Sequence, residues 1–138
     1  MSTRGFRTLP LQAGPVDPTR LKNDNYEFIQ KAAATTSDEP TLIFQDTLTK
    51  KGIIMYEVRL VGKGEADFMA LKRTFTVFKG EGTPPEVLDI SSDYTKKTNT
   101  AWGYELIAET NDIIIKVKGS SGEAVQWSIQ IIKTIHLV

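Results

Sequence analysis

Apolar and polar residues alternate through most of this chain. Trp102, Tyr104, Leu106 and Ala108 take every second position, as do Ile113, Ile115 and Val117, and then Val125, Trp127, Ile129 and Ile131. A two-residue period is that of a strand with one buried face. Ile54, Tyr56, Val58 and Leu60 repeat it, and so do Met69, Leu71, Phe75 and Val77. Arg73 interrupts the second of these faces and predicts a bulge or a snorkelling side chain. The pattern predicts strands over 41–48, 53–61, 68–79, 86–90, 101–109, 112–118 and 123–137. Turn chemistry separates them: Lys50-Lys51-Gly52, a polar loop over 62–67, Gly80 to Pro85, Thr110-Asn111, and Gly119-Ser120-Ser121-Gly122. The polar stretch 91–100 reads as a long exposed loop. Six to eight strands with hairpin-type connections predict an all-β fold, an antiparallel β-sandwich or jelly roll.

The first forty residues break the pattern. They hold four of the six prolines, Pro10, Pro15, Pro18 and Pro40. Proline removes a backbone donor and biases its neighbour toward extended geometry. Phe6, Leu9, Leu11, Val16 and Leu21 are isolated apolar residues without a clear period. The division expected is an extended N-terminal arm over 1–40 and a β-sandwich domain over 41–138. Within the arm a short helix is expected over 25–34, with Asp24 as N-cap, Glu27 in the capping-box position and Ala32–Ala34 favouring helix. The five apolar residues are more than a solvating tail carries, so the arm is expected to dock on a neighbouring polypeptide.

Composition narrows the function. The 138 residues, 40% of them hydrophobic, suffice for one core. Seventeen basic and seventeen acidic residues give a net charge of zero, and the basic ones are dispersed, so no nucleic-acid footprint is expected. With no cysteine there is neither disulfide nor thiol chemistry. Residues 1–10 lack the apolar core of a signal peptide, and no stretch has the length of an apolar membrane span. The expectation is a protein made in the cytoplasm that does not engage a membrane.

Candidate chemistry is sparse. His136 is the single histidine, at the end of the last strand on the face opposite Trp127, and alone it builds neither a metal site nor a triad. Glu57, Glu105 and Glu109 fall on polar strand faces and form no pair set across a cleft. Asp112 lacks the calcium-loop pattern. Gly62-Lys63-Gly64 lies between strands, without the lysine and hydroxyl of a phosphate loop. Ser120 and Ser121 have no base nearby in the pattern. Tyr56 and Trp127 read as core. Trp102, bordering the 91–100 loop, and Tyr94 inside it are the candidate ligand-loop aromatics. The expectation is no catalytic residue, no metal and no cofactor.

The stretch from about Pro40 onward resembles small virion proteins of tailed bacteriophages. The strings that carry the resemblance are Tyr56-Glu57-Val58-Arg59 with Val61-Gly62, and Lys72-Arg73 ahead of Phe75-Thr76-Val77-Phe78. Trp102, the run from Asp112 to Gly119, and the ending from Gly122 through Val125 and Trp127 complete it. The resemblance implies a jelly-roll knob of the kind found on head decorations and tail fibres, commonly trimeric and without catalytic residues. A knob on a short chain behind an arm is similar to a capsid decoration protein. That implies a homotrimer on the capsid exterior, gripping the major capsid protein through Phe6, Leu9, Leu11, Val16 and Leu21. The alternative is a tail-fibre or baseplate receptor-binding knob that takes host-surface glycan at Tyr94 and Trp102.

Overall fold

A computed structural model of the chain describes residues 20–22, 26–91 and 94–137. Among these the fold is all-β, two antiparallel sheets packed as a sandwich. The strands are β1 (Arg20–Lys22), β2 (Tyr26–Thr35), β3 (Thr41–Thr47), β4 (Gly52–Lys63), β5 (Phe68–Lys79), β6 (Glu86–Ile90), β7 (Tyr94–Lys97), β8 (Gly103–Glu109), β9 (Asp112–Lys118) and β10 (Val125–Leu137). The large sheet runs β1-β2-β10-β4-β5-β6, and β7 shares the outer side of β5 with β6. The small sheet runs β3-β9-β8. The alternating segments therefore form the expected fold, and their apolar positions meet between the sheets. Ile54, Tyr56, Leu60, Ile129 and Ile131 line the large sheet's inner face, and Phe44, Ile113, Ile115 and Val117 the small one's. Full burial of each such side chain stabilises by about 1.5–3 kcal/mol.

Residues 26–34, expected to be helical, are instead most of β2. This strand pairs along its whole length with β10, from Thr35 opposite Val125 to Tyr26 opposite Thr134. Helix propensity in Ala32–Ala34 amounts to a few tenths of a kcal/mol per residue. A ladder of that length and the burial of Ile29 outweigh it. Residues 26–35 thus belong to the sandwich and not to the arm, and β1 adds a further three residues beside them.

Two smaller expectations also change. The stretch 91–100 is not all loop, because β7 pairs Tyr94–Lys97 with Lys72–Met69 of β5. No bulge occurs at Arg73, which stays in register opposite Val58. Arg73 is half-buried and snorkels to the sandwich edge, where Nε donates to the Tyr104 hydroxyl at 3.2 Å and an Nη to Thr95 Oγ1 at 2.9 Å. Irregularities fall elsewhere, between Thr76 and Val77 against β6 and between Leu42 and Phe44 in β3. The second has a structural consequence: Ile43 and Phe44 are both buried, and the alternation restarts so that Asp46 faces inward.

One end of the sandwich is built around two tryptophans. Trp127 sits between Ala33 of β2 and Gly62 of β4 in one cross-strand row. Its ring covers Gly62 so closely that a Cβ there would lie 2.5 Å from it. Its Nε1 donates to Thr35 Oγ1 at 3.0 Å. Trp102 packs on it at 5.6 Å between ring centroids and donates to Ser120 Oγ at 2.9 Å.

Candidate functional site

The other end of the sandwich is organised differently. Glu27 of β2, Lys133 of β10 and Tyr56 of β4 stand side by side in one row on the inner face of the large sheet. Strand alternation that elsewhere buries isoleucine here buries a carboxylate, an amine and a phenol. Asp46 approaches from the small sheet. Lys133 Nζ lies 2.7 Å from Asp46 Oδ2 and 3.8 Å from Glu27 Oε1. The Tyr56 hydroxyl donates to the same Asp46 Oδ2 at 2.7 Å. Glu27, Asp46 and Lys133 are each no more than 6% exposed, and Tyr56 is fully buried. The walls are aromatic: Phe75 stacks on Tyr56 at 4.8 Å and Phe44 meets it edge-on at 6.3 Å. The group is buried, so the electrostatic contacts inside it are strong and any loss of a partner is costly.

The outer face of the same strands inverts the usual order too. Tyr26, Thr134, Met55 and Thr76 form one row across β2, β10, β4 and β5. Phe28, Ile132 and Glu57 form the next, and Ile53 lies between His136 and Phe78 beyond Met55. Tyr26, Ile53, Met55 and Phe78 are each around 40% exposed, side chains that a solvated sheet face ordinarily does not carry as neighbours. A shallow depression lined by Phe28, Glu57, Arg59, Gln130 and Ile132 adjoins them, with Glu57 and Arg59 paired at 3.4 Å.

The residues singled out in the sequence fare unequally. Phe6, Leu9, Leu11 and Val16 lie outside the described residues. Leu21 is in β1, opposite Phe28. Trp102 is corrected as a ligand-loop residue: it is 1% exposed and packed in the core, because β8 begins directly after it and draws it under the sheet. Tyr94 is 56% exposed on β7, so the two candidate ligand aromatics are not brought together on one surface. His136 is exposed beside Ile53. Ser120 Oγ accepts from Trp102 Nε1 and from Asn99 Nδ2 and is a packing partner in a polar loop cluster. No group of carboxylate and imidazole ligands suited to a metal ion occurs among the described residues.

Sequence reasoning missed the Glu27–Asp46–Tyr56–Lys133 group. Its one legible signal was a lysine on the apolar side of the last strand, in phase with Ile129 and Ile131. Comparison with protein-family models, with curated proteins and with solved structures finds no match to this chain.

Proposed function

We propose that this protein is a non-enzymatic structural protein of a tailed-phage virion, a capsid decoration protein that self-associates and ties coat subunits together. The observation that carries the reading is the apolar outer face at the Tyr26–Met55–Phe78 end of the large sheet. Tyr26, Ile53, Met55 and Phe78 are exposed side chains that lie close together across the strands of this one face. The occupant of that face is a second copy of the chain, since the net charge of zero and the mixed signs of Glu57 and Arg59 favour self-contact. Segment 1–19, with Phe6, Leu9, Leu11 and Val16, supplies the grip on the major capsid protein. An extended chain reaches up to about 3.3 Å per residue, enough to cross onto a neighbouring subunit. Many copies on one shell add avidity.

Two measurements test this. Light scattering of the pure protein is expected to give the mass of a trimer, reduced to monomer by Met55→Lys with Ile53→Lys. Deleting residues 1–19, which stops short of β1, is expected to abolish co-sedimentation with expanded coat shells while leaving the thermal transition intact. Full binding by the truncated protein would sink the arm model, and a monomeric wild type would sink the self-contact.

A further inference from the structure

The inter-sheet group holds an amine against a carboxylate in a buried site, with a second carboxylate and a phenol at hand. Buried lysine has another solution in this molecule. Lys79 is equally buried, but its Nζ donates to the carbonyl oxygens of Gly80 and Thr83 at 2.8 and 2.6 Å and closes a turn. Lys133 instead faces two carboxylates, one on its own sheet and one on the opposite sheet. Asp46 is the nearer of the two, and Glu27, 3.8 Å from the same Nζ, sets a second carboxylate directly beside it.

We propose that Lys133 and Asp46 condense spontaneously into an intramolecular amide bond that covalently joins the two sheets, with Glu27 as proton relay. The inference rests on this cluster alone and is independent of the virion reading. In the step proposed, the ammonium proton passes to the Asp46 carboxyl across their contact, which gives a neutral amine facing a neutral carboxylic acid. The Nζ lone pair then attacks Cγ of Asp46. The 2.7 Å between Nζ and Oδ2 brings the reacting groups into contact on strands held by two β-ladders. The Tyr56 hydroxyl, donating to Oδ2, stabilises the negative charge that develops as Cγ becomes tetrahedral. Glu27 takes a proton from the attacking nitrogen and passes it to the departing hydroxyl. The Nζ–Cγ bond forms and one Cγ–O bond breaks. The amine nitrogen surrenders two of the three ammonium protons, which leave with that oxygen as water. No oxidant, metal or external reactant enters. The reaction occurs once per molecule, after folding has brought residues 46 and 133 together.

The deciding measurement is the intact mass of the purified, folded, full-length protein under denaturing conditions. It is expected to be lower than the sequence mass by one water, with tandem mass spectrometry of a digest showing a branched peptide joined at Asp46 and Lys133. A folded wild type of full sequence mass overturns the proposal, as does a water loss that maps to a succinimide elsewhere. Lys133→Arg and Asp46→Ala are expected to carry their full masses. Asp46→Asn is expected to close the same bond with loss of ammonia instead of water, a readout that a purely structural role would not produce. Glu27→Gln, shown to be folded by circular dichroism, is expected to remain unlinked. If it links at the wild-type rate, Glu27 is not the relay.

Discussion

The two ends of the large sheet obey opposite rules. At the Trp127 end the inner row is Ala33, Trp127 and Gly62, all apolar, and the flanking outer rows are Ala34, Gln126 and Lys63, and Ala32, Ser128 and Val61. At the Lys133 end the inner row is Glu27, Lys133 and Tyr56, and the flanking outer rows are Tyr26, Thr134 and Met55, and Phe28, Ile132 and Glu57. The same three strands run through both ends, with the same alternation and no register shift between them. The first end is a conventional core and explains why the domain folds. The second buries charge and exposes apolar area, neither of which helps an isolated domain fold, so it is the end where function is to be sought.

The comparison breaks most visibly at the buried amine. Lys133→Met leaves two carboxylates in the core and is expected to destabilise by about 3–5 kcal/mol, measured by urea denaturation. Replacing the group together, with Lys133→Met, Asp46→Leu and Glu27→Gln, is expected to be more stable than Lys133→Met alone, because neither variant can form the cross-link and only the single one keeps unpaired charge. If the single and triple variants are equally unstable, buried charge is not what sets this end apart. At the conventional end Trp127→Ala is expected to cost a similar amount, about 3–5 kcal/mol, by cavity formation and loss of the hydrogen bond to Thr35. Gly62→Ala forces a methyl against the Trp127 ring and is expected to lower stability by about 1–3 kcal/mol, with near-ultraviolet circular dichroism reporting the displaced indole. The smallest effect belongs to the outer face, where Met55→Lys is expected to change monomer stability by no more than about 0.5 kcal/mol while altering sedimentation. A large stability loss there would mean that the face is packed within the monomer.

The same contrast explains what could be read from the chain. β4, β5, β9 and β10 were legible because at least three apolar residues in phase impose the period of two, even where Arg73 or Lys133 interrupts the face, and the fold class followed from them. β2 was not, because it crosses both ends. Its inward positions are Glu27, Ile29, Lys31, Ala33 and Thr35, so burial of polar groups erased the alternation and left three alanines to suggest a helix. β7 carries four exposed residues on a sheet edge and has no face to mark it. Trp102 was misplaced because its burial depends on Ser120 and Trp127, which are remote in sequence. The Lys133 group joins four strands from both sheets, and no local spacing brings an aspartate in β3 next to a lysine in β10. Its chemistry exists only in three dimensions.

The place of β10 between β2 and β4 also orders events on the ribosome. Both neighbours are synthesised long before the strand that joins them. Until residues 125–137 emerge, β2 lacks its main partner and β4 presents an open ladder along its length. Assembly of this sheet therefore waits for β10 and is dominated by distant contacts, which slows it. In that interval a nascent chain is open to invasion by the β10 of a sister molecule, so exchanged-strand dimers are the misassembly to look for when expression is fast and crowded.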